Sequence, residues 1–172
     1  MHYTSWGPTK SDTTELFIEE GPEVLATFTD TEAKVKGEEW ALAVDKDTAT
    51  ATLPDGSRYT ASGLRRGGTV SVDLAGRQFT FTKEKRSDWI IEDSLGQKIA
   101  QFSGANNGVR KAITEFDGET SELADAKTLS TNEVIGLSWF VRRVLLSGLN
   151  TVTVATIATL AFLTFVAILV FL

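Results

Sequence analysis

The chain has no cysteine among its 172 residues and a single histidine, His2. Disulfides, thiolate nucleophiles and Cys-ligated zinc are excluded, and no nucleophile triad has a usable base. Missing too is a phosphate-cradling glycine loop of either standard spacing. The adjacent carboxylates Glu19-Glu20, Glu38-Glu39 and Glu92-Asp93 point to opposite faces of a strand, so none makes a close acid-base pair. Asp45-Lys46-Asp47 starts like a calcium loop, but the glycine and closing glutamate of such a loop do not follow. No catalytic, metal or cofactor-binding residue is therefore expected, and the reading is non-enzymatic. A net charge of -6 argues against a nucleic-acid binder, which needs a dense basic face. Met1 to Pro8 has no basic patch followed by an apolar run, so no signal peptide is expected.

The largest absence is of charge. From Val144 to Leu172 no residue is charged, and Thr151 to Leu172 contains only Val, Ile, Leu, Phe, Ala and Thr. Twenty-two residues at 1.5 Å each give about 33 Å, slightly more than a hydrocarbon core of roughly 30 Å. Its apolar side chains favour insertion by about 4 to 8 kcal/mol. The threonines return their hydroxyls to carbonyls a turn back. Residues 151–172 are thus expected to form a transmembrane helix. Arg142 and Arg143 precede it and nothing basic follows. The positive-inside rule then predicts a single-pass, tail-anchored protein of the cell membrane with a cytoplasmic N-terminal domain.

Residues 132–149 read as an amphipathic helix capped by Thr131 or Ser130. Val134, Leu137, Val141, Val144 and Leu145 share a face, with Arg142 and Arg143 largely opposite. Such a helix either lies in the headgroup layer, with Trp139 at the interface, or covers the soluble core. Gly148 and Asn150 are expected to bend the chain before the bilayer.

What the sequence has in quantity is period-two alternation. Trp40, Leu42 and Val44, then Val70, Val72 and Leu74, then Phe79 and Phe81 alternate with small or polar residues, the mark of strands with one buried face. Pro54-Asp55-Gly56, Arg66-Gly67-Gly68, Ala75-Gly76, Ser94-Leu95-Gly96 and Asp117-Gly118 supply turns. The fold class is mainly β, an antiparallel barrel or sandwich of about 9 to 11 short strands, then the two helices. The expected organisation is a flexible arm over 1–14, a β domain over 15–118 and a polar linker over 119–131. The basic residues Arg65, Arg66, Lys83, Lys85 and Arg86 fall at turns and are candidate headgroup contacts.

The stretch Trp89-Ile90-Ile91-Glu92-Asp93-Ser94-Leu95-Gly96-Gln97-Lys98-Ile99-Ala100-Gln101-Phe102 reads as strand, tight turn, strand. It resembles the hairpin unit of tubby-like, LURP-one-related and phospholipid-scramblase-like barrels, with their aromatic-x-Ile-x-Asp-x-x-Gly pattern. The resemblance implies a closed antiparallel barrel threaded by a hydrophobic helix near the C-terminus, and a lipid-facing role. If a helix plugs a barrel here, 132–149 suits that place better than 151–172. Arg142 and Arg143 would then have to sit at the mouth, since unpaired buried charges are costly. The expected partners are the lipid bilayer and anionic headgroups or a membrane protein. The alternatives are a scramblase-like lipid handler and a soluble barrel with the final apolar helix in its core.

Overall fold

A computed structural model describes the backbone of residues 1–65, 67–85, 87–104, 112–117, 120–121 and 128–171. Side chains are described over the same residues except 120–121 and, after Gly148, only at Thr159, Thr164 and Ile168.

Twelve strands form one closed antiparallel barrel in simple up-and-down order. They are β1 (Tyr3–Trp6), β2 (Thr14–Ile18), β3 (Val24–Phe28), β4 (Glu32–Val35), β5 (Glu38–Val44), β6 (Thr48–Thr52), β7 (Arg58–Ser62), β8 (Thr69–Leu74), β9 (Arg77–Lys85), β10 (Asp88–Asp93), β11 (Lys98–Ser103) and β12 (Ile113–Phe116). Each pairs with its successor, and β1 closes the ring on β12 with Thr4 opposite Thr114. The barrel is the closed alternative of the two β architectures expected, with more strands. Residues 1–14, expected as an arm, contribute β1 and the start of β2. The reason is visible in β1 itself: Thr4 and Trp6 point inward and are buried, so the segment alternates like any other strand. Short strands β13 (Thr120–Ser121) and β14 (Leu129–Ser130) pair in parallel within the expected linker.

The predicted alternation fixes the barrel's inner wall. Val70, Val72, Leu74, Phe79, Phe81, Trp89, Ile91, Ala100 and Phe102 are all buried. Val44, expected inward, is exposed at the end of β5. The turns at Pro54-Asp55-Gly56, Ala75-Gly76 and Ser94-Leu95-Gly96 lie where the sequence predicts them, while Arg66 and Gly118 of the other two lie outside the described residues. Ala75 and Gly76 both have positive φ, 53° and 100°, the backbone that suits a two-residue hairpin to strand twist.

A single helix, α1 (Thr131–Phe171, 41 residues), follows. The two helices expected are one, without the bend assigned to Gly148 and Asn150. An internal glycine costs a helix only about 1 kcal/mol, and extending an existing helix is far easier than starting a second. Every residue from Glu133 to Val141 is buried. Burial on all faces over more than two turns means that this part of α1 lies inside the barrel. Its partners agree. The Thr4 and Ser138 hydroxyls share a 2.7 Å hydrogen bond, and Trp6 Nε1 donates to the Ser138 carbonyl at 3.3 Å. At Gly136 the helix meets β7 and β8 so closely that a Cβ would lie 2.7 Å from Tyr59 Cδ2 and 3.6 Å from Leu74 Cδ2. Trp139, expected at a membrane interface, is only 1% exposed and belongs to the core.

The helix enters with its charge satisfied. Ser130 is the cap: its hydroxyl accepts from Glu133 N at 3.2 Å, and Ser130 N donates to Glu133 Oε2 at 2.7 Å. This reciprocal pair is a capping box. Arg77 Nη1 reaches both Glu133 oxygens, at 2.8 and 2.9 Å, and the Thr128 carbonyl at 3.1 Å. Burial, followed by the negative charge of Glu133, pushes the nearby Tyr59 hydroxyl up to about 12.

Two consequences can be measured. Gly136→Val should lower stability by about 1 to 3 kcal/mol in chemical denaturation, because β7 has no room to give. Tyr59 should make the fold sensitive to alkali. Below the ordinary value of 10.0 both folded and unfolded chains keep the proton and this contribution is complete. As pH rises from 10.0 to about 12 the unfolded chain alone ionises, and roughly 2 to 3 kcal/mol is lost by the upper end. Denaturant midpoints of Tyr59→Phe should fall less over that window; parallel curves would show that Tyr59 is not the source.

Candidate functional site

The ends of the barrel differ because the helix runs through it in one direction. Odd-numbered strands end, and even-numbered strands begin, at the rim where α1 emerges. That rim gathers residues 7–13, 29–31, 45–47, 63–65, 67–68, 87 and 104 from six connections. The helix touches it at several points. Ser147 Oγ donates to the Leu64 carbonyl at 2.9 Å, and a Cβ at Gly104 would lie 3.0 Å from Leu145 Cδ2.

Arg142 and Arg143 stand in this mouth, half-buried. The Arg142 guanidinium lies 4.9 Å from the centroid of the Trp6 ring, and Arg143 lies 5.4 Å from that of Trp139. Arg142 Nη2 donates to Thr14 Oγ1 at 3.1 Å and to Thr9 Oγ1 at 3.4 Å, and the two threonine hydroxyls are 3.1 Å apart. The Nε atoms of both arginines are buried without a partner. Among the described residues, neither arginine has a carboxylate within ion-pair distance. Burial lowers the proton affinity of both guanidinium groups. The charge of Arg143 lowers that of Arg142 further, and Asp30 opposes the shift in each. The site is therefore two adjacent cations, partly removed from water and stacked on indole rings, with no ion-pairing anion among the described residues.

The candidate headgroup contacts collect at the same end. Arg65 is exposed beside Leu64, its backbone N–H on Asp47 Oδ1 at 2.9 Å. Lys83 and Lys85 are exposed at the end of β9, and Lys83 Nζ lies 5.9 Å from the Trp89 ring. Arg66 and Arg86, their sequence neighbours, lie outside the described residues. Residues far apart in sequence thus converge on one rim. The other rim carries Glu19, Glu20, Glu23, Glu38, Asp55, Asp93 and Asp117 beside Lys36, Arg58, Arg77 and Lys98, and the exit rim carries Asp12, Asp30, Asp45 and Asp47 beside its basic residues. Among the described residues no group of three metal-ligating side chains occurs. Trp6, Thr9, Thr14 and Asp30 escaped sequence reasoning. Thr9 and Thr14 meet Arg142 across 133 and 128 residues, and no local pattern marks such a pair.

Among the described residues no helix is long and apolar enough to cross a membrane. The expected span, 151–172, has a helical backbone to Phe171, but its side chains lie mostly outside the described residues. No protein-family model, curated protein or solved structure matches the chain.

Unneutralised cations in a half-buried mouth do not favour folding. Arg143→Met should therefore raise stability, by about 0.5 to 1 kcal/mol. Arg142→Met, which loses two threonine contacts, should gain nothing. Thermal melts of the two variants beside the parent protein test this; a destabilised Arg143→Met would make that arginine structural.

Proposed function

We propose that the protein is a non-enzymatic, single-pass membrane protein whose β domain rests in the cytoplasm with its exit rim against the bilayer, where it binds anionic headgroups or a membrane protein. One observation carries this reading. The uncharged stretch that begins at Val144 continues the helix that fills the barrel, and it departs from the rim that holds Arg142 and Arg143.

Three physical arguments support it. A run of 22 uncharged residues, 13 of them Leu, Ile, Val or Phe, is costly to leave in water, and hydrocarbon accepts it as a helix. Basic residues on the near side of the run orient it with the barrel inside. The far rim holds Glu19, Glu20, Glu23, Asp55 and Asp93 away from the surface that anionic lipids make negative, while Arg65, Lys83 and Lys85 stand at the exit rim beside its own aspartates. The resemblance to tubby-like, LURP-one-related and scramblase-like proteins adds a fourth argument. The closed barrel and threading helix are the fold that this resemblance implies, and its lipid-facing role is the one proposed.

The test is membrane fractionation with an alkaline carbonate wash, comparing the full chain with one ending at Asn150. The shorter chain keeps every helix contact described inside the barrel, so it should fold. The full chain should remain in washed membranes and the shorter one should be soluble. A full chain released by carbonate, or a shorter chain that misfolds, would make 151–172 part of the β domain's own structure and end the anchor reading.

A further inference from the structure

We propose that Arg142 and Arg143, with the hydroxyls of Thr9 and Thr14, form a binding site for a single phosphate group of an anionic lipid headgroup. The inference rests on the membrane-surface reading for the source of the phosphate, but not for the chemistry of the site.

The chemistry follows from what the mouth offers and what it lacks. Guanidinium groups carry planar forks of donors that match the oxygens of a phosphate. Arg142 spends one nitrogen on the two threonines, and Arg143 makes no hydrogen bond among the described residues. One face of each group is covered by Trp6 or Trp139 and both Nε atoms are buried, which leaves the terminal Nη atoms for a ligand. Asp30 is felt by both arginines yet pairs with neither. Glu15, on β2 close to the same mouth, lies 4.0 Å from Lys10. The pair is therefore a held, partly dehydrated double positive charge, which an anion with several acceptor oxygens would complete. The exposed Arg65, Lys83 and Lys85 differ in kind. They are solvated and add a general attraction without a built site.

What favours a lipid as the source is the uncharged helix that leaves the same mouth. Arg143 lies eight residues before Thr151, about 12 Å at 1.5 Å per residue. If hydrocarbon begins near Thr151, the arginines stand about 4 to 7 Å beyond an interfacial layer roughly 5 to 8 Å deep, so a bound headgroup rises out of that layer into the mouth.

The experiment uses the full chain in neutral maltoside micelles, with the fluorescence of the stacked tryptophans and calorimetry as readouts. The probes are dioctanoyl phosphatidylglycerol, dioctanoyl phosphatidylcholine and inorganic phosphate. Saturable binding of the glycerol lipid, at least about tenfold tighter than the choline lipid, is expected. Arg143→Gln should weaken it by about tenfold or more, and Arg143→Lys, which keeps the charge but loses the fork, by several-fold. Lys83→Gln with Lys85→Gln should change it less than about twofold. An equal loss in the lysine variant, or unchanged binding in both Arg143 variants, overturns the site in favour of diffuse attraction. Binding of inorganic phosphate alone keeps the phosphate chemistry and overturns the lipid source. Carbonate extraction is scored separately, so a chain that binds the lipid yet leaves the membrane sinks the anchor and spares the site.

Discussion

A closed sheet of twelve strands encloses more space than its own inward side chains can fill. Eight strands leave an interior that side chains alone occupy, and the diameter grows with strand number. A helix with its side chains is about 10 to 12 Å across, which suits the larger barrel. The rest of the structure answers to that helix. Ala49 and Ala51 line β6, to which the helix comes within 8 Å, and Ala61 lies next to them on β7. Larger groups such as Trp40, Phe28 and Phe81 are fully buried on other strands of the wall. Gly136 is fixed by Tyr59, and Ser138 is tolerated only because Thr4 and the Val134 carbonyl take up its hydroxyl. Without the plug the inner wall would be a wet cavity lined by apolar groups, so barrel and helix have to fold as one unit.

This dependence explains which parts of the fold were legible in the sequence. Strands announce themselves locally, through a period of two and the chemistry of short turns. β8 to β11 were therefore readable residue by residue, from Val70-Val72-Leu74 to the Trp89–Phe102 hairpin. β1 was hidden because four residues are too few to show a period beside Gly7 and Pro8. The helix was harder. An amphipathic pattern promises one dry face, yet Glu133 to Val141 are buried on every side. Glu133 and Ser138 are polar, and only their partners, Arg77 and Thr4, make them acceptable inside. Those partners are 56 and 134 residues away. Trp139 shows the same failure from the other side. An indole near arginines suits a membrane interface and a barrel core equally well, and only topology separates the two.

The two mouths treat the helix's charges in opposite ways, and that contrast bears on function. At the entrance the fold provides everything that Glu133 needs: Arg77, the Ser130 amide and a helix N-terminus. A buried carboxylate so supplied is a structural clamp, and it fixes how far the helix slides into the barrel. At the exit the chain had the means to do likewise. Asp12, Asp30, Asp45 and Asp47 all lie in that rim's connections, and Asp30 is near enough to act on both arginines without pairing with either. Instead the arginines are held by ring faces and hydroxyls, contacts that orient a guanidinium without discharging it.

A mouth built only for stability would resemble the entrance. Local frustration that the surrounding structure keeps in place is the usual mark of a group committed to something outside the fold. Here the uncharged stretch begins at Val144, the next residue, which is still buried in the mouth. The clamp at Glu133 sets the height of the helix, and the helix sets the height of the arginines. Whatever receives the uncharged stretch therefore meets those two cations at a fixed distance and in a fixed orientation. A flexible tether between barrel and tail would lose that relation, which is the physical advantage of running one uninterrupted helix through both.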